Sequence, residues 1–535
     1  MKLIKAFFAL FLLTQLTHAQ KPKLVVGIVI DQMRYDYLQT FSKYYGQGGF
    51  ERLKREGSNF NNHHYDYVPT FTGPGHASIY TGTTPANHGI IANDWYDKNT
   101  QTVIYCCTDT SVKTVGSFSG AGQMSSKNLK TNSLGDAFHL SFGKESKIYG
   151  VSLKDRGAIL PAGHSADGAF WFDGGKNGNW ISSTQYYEEL PNWAKQYNNS
   201  NRKNALINQS WNLSPELKDS KIIDNQPWER PFKGRKEATF PYNLEKLKVL
   251  NGNYSLLKAV PHGNELSADF AKTLITEEGL GQDDITDLLA LSFSATDYVG
   301  HYFGSQSLEV ADAFVCLDKT IASLLTFLDE KVGKANYILF LSADHGTIDP
   351  PKFYEANNLP GGVFRESKIS KELNQEIEVQ FGLSNAVGAC INEQVFLTPT
   401  INYDRVSKSV VEEFIIDWLK NHPAVDFACR YKDIDTQMGI YQAESIKKGF
   451  YPNLSGNIVF TLKPGWADYG AQGSTHGTSY TYDSHVPFIL FGNGIPAQQI
   501  YERSAPSDIV PTIAHLVGSI MPWGATGKSF MGKLK

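Results

Sequence analysis

Short, nearly uninterrupted apolar runs recur along the chain, and each lies beside acidic or histidine residues. Leu24-Val-Val-Gly-Ile-Val-Ile30 stops at Asp31, Leu288 to Ser294 leads to Asp297, and Tyr337 to Leu341 leads to Asp344 and His345. Val486 to Phe491 follows His476 and Asp483. Runs of this length without polar alternation fit strands covered on both faces, as in a parallel sheet between helices. Between them, Val310, Ala313, Phe314, Leu317, Ile321, Leu324 and Leu325 recur at helical spacing and predict a helix over 308–331. A last helix is predicted over 507–517, with Ser507 as N-cap and Gly518 as its stop. Alternation of strand and helix predicts an α/β fold with a doubly wound, mostly parallel central sheet. Ligands of such sheets gather at the carboxyl ends of the strands. The acidic and histidine residues fall there.

Two stretches break the alternation. Residues of about 97–282 are rich in Asn, Gly, Ser and aromatics, and those of about 350–468 are polar with strands expected at 393–397 and 456–462. Neither is low in complexity, so both read as insertions that cap the sheet edge and wall the site. Residues 20–535 then form one domain carrying two insertions, with no internal repeat. Ahead of it, Lys2 and Lys5, the apolar run Ala6 to Leu13 and the small Ala19 have the layout of a secretory signal peptide over 1–19. That run is shorter than the ~20 residues a membrane helix needs. The expectation is an exported protein, periplasmic or secreted, without a membrane span.

Charge narrows the partners. Lys plus Arg number 50 against 54 Asp plus Glu, a formal charge of −4, so no nucleic-acid-binding surface is expected. The five cysteines are an odd set with no CxxC spacing, which argues against a disulfide framework and against finger-type zinc. A monomer is the expectation.

The chemistry sits in a few short segments. Asp31, the pair Asp297 and His301, Asp344-His345 and His476 supply oxygen and nitrogen ligands suited to zinc or another divalent ion. Asp297 and His301, four apart, share a face if their segment is helical. One aspartate after a strand is ordinarily a turn or cap residue, but several such groups at the strand ends of one sheet argue for metal. Thr72 precedes Gly-Pro-Gly and a helix expected from about Pro74, whose N-terminus favours a phosphate. The alternative is that Thr72 only caps that helix. Its hydroxyl needs an activator to attack at neutral pH, which a metal supplies. His63, His64, His76 and His88 read as structural, and His485 as a hydrogen-bonding residue at a strand entry.

The series Asp31, Thr72-Gly-Pro-Gly-His76, Asn93-Asp-Trp-Tyr96, Thr296-Asp-Tyr-Val-Gly-His301, Ala343-Asp-His-Gly346 and Thr475-His-Gly477 resembles the alkaline phosphatase superfamily. The likeness is greatest to the phosphate-irrepressible alkaline phosphatases of the bacterial periplasm. The resemblance implies two zinc ions per chain, one on Asp297, His301 and His476 and the other on Asp31, Asp344 and His345 with Thr72. It further implies hydrolysis of a broad range of small phosphate monoesters through a phosphothreonine on Thr72. Lys154, Arg156 and Asn93 match the positions that contact the phosphate oxygens. A monoester dianion exposes three terminal oxygens whose charge such cations meet. The rival readings are a nucleotide pyrophosphatase/phosphodiesterase on the same scaffold, against which Lys154 and Arg156 speak, and a non-catalytic exported binding protein. A sulfatase would need a C/S-x-P-x-R motif where Thr72-Gly-Pro-Gly stands, and a phosphoglycerate mutase relative would not ordinarily be exported.

Overall fold

The computed structural model describes residues 21–404 and 406–534, so the expected signal peptide lies outside the described residues. Its central feature is a ten-stranded sheet. In chain order the strands are β1 (Leu24–Ile30), β2 (Ser58–Phe60), β3 (Thr114–Val115), β4 (Ile148–Ser152), β5 (Gly168–Asp173), β6 (Asn179–Ser183), β7 (Asp287–Phe293), β8 (Tyr337–Ser342), β9 (Phe488–Gly492) and β10 (Gln498–Ile500). Across the sheet they run β10-β2-β9-β8-β1-β7-β4-β5-β6-β3. The central five, β8-β1-β7-β4-β5, are mutually parallel.

Alternate residues of β1 serve opposite faces. Leu24, Val26, Ile28 and Ile30 enter one apolar core, and Val25 and Val29 enter the other. The helices involved are α1 (Thr72–Thr81), α2 (Asp155–Ala162), α3 (His262–Glu278), α4 (Ala295–Phe303), α5 (Leu308–Leu328) and α6 (Ile509–Val517). The first face packs against α3 and α5 through residues such as Phe270 and Phe314, the second against α1 and α6 through Ile79, Tyr80 and Ile513. The sheet is therefore wound on both sides, as its apolar runs predict.

Three details differ from the sequence reading. The run at 486–491 is a strand, but β9 pairs antiparallel with β8. An apolar run reports burial on both faces, which β9 shares with its neighbours, and carries no information about direction. Residues of about 97–282, expected to cap the sheet edge, supply four of its strands, β3 to β6. Ser507 lies inside a short 3-10 turn, and Asp508 stands at the N-cap of α6, while Gly518 ends it in the left-handed conformation.

Residues of about 350–468 contain a second, four-stranded sheet in which Gln394–Leu397 and Ile458–Leu462 are neighbours. With the helices Glu366–Phe381 and Lys408–Asn421 it encloses a core of its own that includes Leu373, Ile415 and Phe460. Among the described residues no helix is long and apolar enough to cross a membrane, and Cys106, Cys107, Cys316, Cys390 and Cys429 are free.

Candidate active site

The carboxyl ends of β1, β7 and β8 and the N-terminus of α1 meet at one place. Asp31 follows β1, Asp297 lies in the first turn of α4 after β7, and Asp344 and His345 follow β8; all four are buried. Helix α1 starts at Thr72, and no side chain caps it. The Thr72 hydroxyl is thus not spent on the helix. It faces His345 Nε2, Lys154 Nζ and Arg156 Nη2, each at 3.4 Å. Behind it, Gly73 N–H donates to Asn93 Oδ1 at 2.7 Å, which fixes the Asn93 amide beside the nucleophile candidate. The close seating of α1 requires Gly75, where a Cβ would stand 2.3 Å from the backbone oxygen of Asp344.

Two groups of possible metal ligands lie on either side. Ligand atoms of Asp297, His301 and His476 fall within 4.8 Å of one another, and so do those of Asp31, Asp297 and His345. Because α4 is helical at this point, Asp297 and His301 share a face, with Nε2 3.1 Å from Oδ1. Asp344 Oδ2 is 3.5 Å from His345 Nε2 and 3.3 Å from His76 Nδ1.

Backbone carbonyls orient the histidines. Nδ1 of His301 meets Ser474 O at 2.7 Å, that of His345 meets Gly346 O at 2.9 Å, and that of His476 meets Thr70 O at 2.8 Å. In the neutral ring the proton then sits on Nδ1 and leaves the Nε2 lone pair facing the carboxylates. Burial disfavours the charged form of two of these rings, holding His476 down at about 3 and His345 well below the usual imidazole value. The rings of His345 and His476 stack, with centroids 3.4 Å apart.

The carboxylates respond to burial and to each other. Burial, reinforced by Asp344, holds Asp31 well above the ordinary carboxylate range, and burial raises Asp344 to about 7 against the pull of Lys154. Burial also opposes ionisation of Asp297, but His301 and Lys154 outweigh it and hold that group well below the ordinary range. The Lys154 ammonium lies 2.6 Å from an oxygen of both Asp31 and Asp297, a pairing the sequence did not suggest. These two carboxylates keep it a cation.

The chain matches the family described as Type I phosphodiesterase / nucleotide pyrophosphatase over residues 25–485. It is 39% identical to alkaline phosphatase PafA of Elizabethkingia meningoseptica, covering 95% of this chain and 94% of the relative. Alkaline phosphatase PhoV of Synechococcus elongatus is 40% identical, with 96% and 93% covered. The chain belongs to the alkaline phosphatase superfamily. A crystal structure of wild-type PafA superimposes with a TM-score of 0.93 at 39% identity, covering 96% of this chain and 99% of that one. A protein of Myroides odoratus named calcium-transporting ATPase is 40% identical, covering 95% of this chain and 94% of its own.

Several residues at this superfamily site escaped sequence reasoning. Gln32 donates from its backbone to Asp344 at 3.2 Å and from its side chain to Asp297 at 2.8 Å, tying these two carboxylates together. Its place directly after Asp31 was the available signal. Tyr105 accepts from Arg156 Nη1 at 3.0 Å and donates to Asp155, which steers the guanidinium toward Thr72. Nothing in the sequence links Tyr105 to Arg156. Asp483 accepts from the N–H groups of Gly477 and Thr478 at 3.1 and 2.8 Å and so shapes the loop that carries His476.

The histidines read as structural have partners away from the site, His76 excepted. His63 pairs with Ser504, His88 with Ser78, and His485 with Asn61 O at the entry of β9. His64 stacks on His485. His76 binds Thr72 O through the same nitrogen that nears Asp344, and Ser292 through the other.

Proposed function

We propose that this protein hydrolyses phosphate monoesters through a covalent phosphothreonine on Thr72, using two zinc ions. The observation that carries the reading is the convergence of Lys154 and Arg156 on the Thr72 hydroxyl, each at 3.4 Å. Its relatives PafA and PhoV bear the name alkaline phosphatase.

The residues present fit two cations. Both oxygens of Asp31 and Oδ2 of Asp344 are buried without a hydrogen-bond partner, although the Lys154 ammonium approaches Asp31 Oδ2. Buried anionic oxygens beside oriented neutral imidazoles are a donor set for zinc. Asp297, His301 and His476 would hold one ion, and Asp31, Asp344 and His345, with Thr72, the other. When bound, the ions supply Lewis-acid charge that lowers the pKa of the hydroxyl and stabilises the oxygens at phosphorus.

The chain's own groups do the rest. The first turn of α1 offers N–H groups and a favourable dipole to a dianion beside Thr72. Lys154, Arg156 and the amide of Asn93 meet the terminal oxygens, and their number suits a monoester over a diester. Attack by Thr72 Oγ1 forms the oxygen–phosphorus bond and expels the alcohol. Water then cleaves that bond, returning the threonine and releasing phosphate with net retention at phosphorus. The lysines, apolar run and small residue at the N-terminus support export to the periplasm or beyond.

The test is release of phosphate from an aryl monoester by the zinc-loaded protein and by Thr72→Ala. The reading expects near-complete loss of turnover with zinc retained; full activity of the variant overturns the covalent route.

A further inference from the structure

A third group of possible ligands lies outside the active site. One carboxylate oxygen each from Asp224, Glu229 and Glu309 falls within 4.8 Å of the others. Glu309, in the first turn of α5, is 0% exposed, and Glu229 is 2% exposed. Part of their bonding capacity is met internally. Tyr242 donates to Glu309 Oε1, Gln226 N–H to Glu229 Oε2 at 2.8 Å, and Asn225 and Phe240 N–H groups to Asp224 at 3.1 Å. Two oxygens remain. Glu229 Oε1 and Glu309 Oε2 are buried and receive no hydrogen bond.

Charge is unbalanced in the same place. Among the described residues none of the three carboxylates forms an ion pair with Lys or Arg. Arg235 draws weakly on Asp224, while its guanidinium is bonded to Thr239 and Pro241. Two buried carboxylates beside a partly exposed third, none of them ion-paired, must hold protons or hold a metal. In the metal-free group burial pushes Glu229 up to about 8 and Glu309 well above its ordinary range.

We propose that Asp224, Glu229 and Glu309 form a calcium site. The donors are all hard oxygens, the set that calcium and magnesium prefer over transition metals. Calcium–oxygen bonds of about 2.3–2.6 Å place ligands on opposite sides of the ion up to ~5 Å apart, whereas magnesium at about 2.1 Å brings them within ~4.2 Å. The three ligand atoms all lie within 4.8 Å of one another, close enough for one ion, and because magnesium gives up its waters reluctantly a set of protein carboxylates that includes the buried Glu229 and Glu309 suits calcium. The loop carrying Asp224 and Glu229 also touches the shell of the active site. Arg230 N–H donates to Tyr302 O at 2.9 Å, its Nη2 donates to His301 O at 3.0 Å, and Trp228 O accepts from Gly473 N–H at 2.8 Å. Calcium would clamp this loop to α5 and so brace the two segments that present His301 and His476.

Equilibrium dialysis of the zinc-loaded protein against ⁴⁵Ca tests the proposal, with melting temperature as a second readout. The expected result is one calcium per chain, a melting temperature raised by several degrees in millimolar calcium, and loss of both in Glu309→Gln. Asp224→Asn, at the more open edge of the group, should weaken binding at least about ten-fold, in keeping with the loss of one charged oxygen ligand. Should Glu309→Gln fail to fold, the wild-type stoichiometry and Asp224→Asn decide. Absence of saturable calcium binding, unchanged binding in the variants, or equal competition by magnesium would overturn the assignment.

Discussion

The Lys154 ammonium stands 2.6 Å from Asp297 Oδ2, and both side chains are almost wholly buried. A cation so placed links phosphate recognition to a metal ligand, because Lys154 also lies 3.4 Å from Thr72 Oγ1. Removing it unbalances Asp297 and Asp31 as well as the substrate. Lys154→Ala should lower kcat/KM for an aryl phosphate monoester by about a hundred-fold or more, the usual cost of a preorganised donor to transition-state charge. The matching diester should suffer less. Equal losses on both substrates would assign Lys154 to holding the carboxylates alone.

Zinc content should follow the two ligand groups separately. His476→Ala removes a ligand from the set with Asp297 and His301 but leaves Asp31, Asp344 and His345 in place. Metal analysis of that variant is expected to give close to one zinc per chain, against two expected for the wild type. Retention of both ions would show that His476 is not a ligand.

Proton release on metal binding follows from Asp344. Its carboxyl is raised to about 7 by burial, so in the metal-free protein it is largely protonated at pH 6 and ionised at pH 9. Zinc binding requires the ionised form. Titration of zinc into chelated protein should therefore release more protons at pH 6 than at pH 9, measured in a weakly buffered solution with an indicator. His476, held down at about 3, contributes none in this range. Proton release independent of pH would place Asp344 outside the coordination.

Gly75 gives a steric test. The Cβ of Gly75→Ala would stand 2.3 Å from Asp344 O, so α1 or the end of β8 must shift. Overpacking of this kind typically costs about 1–3 kcal/mol. The variant should melt at lower temperature and hold zinc less tightly. Wild-type values for both would mean that the two segments separate without strain.

Much of the fold was legible because the chemistry of its strands is simple. Leu24 to Ile30 and Tyr337 to Leu341 are apolar throughout, and both prove to be central parallel strands ending in acidic residues. What the sequence hid was direction and connectivity. Phe488 to Gly492 is as apolar as its neighbour yet antiparallel to it, and four strands within residues 97–282 are short or interrupted by polar side chains. At the candidate site, the residue types that bind metal announced themselves by their position after strands. Gln32 and Tyr105 did not, because their partners lie far away in sequence, and Asp483 did not, because a carboxylate that bonds nearby loop N–H groups leaves no pattern.

The most direct measurement is kcat/KM of the zinc-loaded protein on an aryl phosphate monoester and on the matching diester, with a chelated control and Thr72→Ala alongside. The account predicts a preference for the monoester by orders of magnitude, abolished by the chelator and by the variant. A preference for the diester would contradict it and make the protein a phosphodiesterase on the same scaffold.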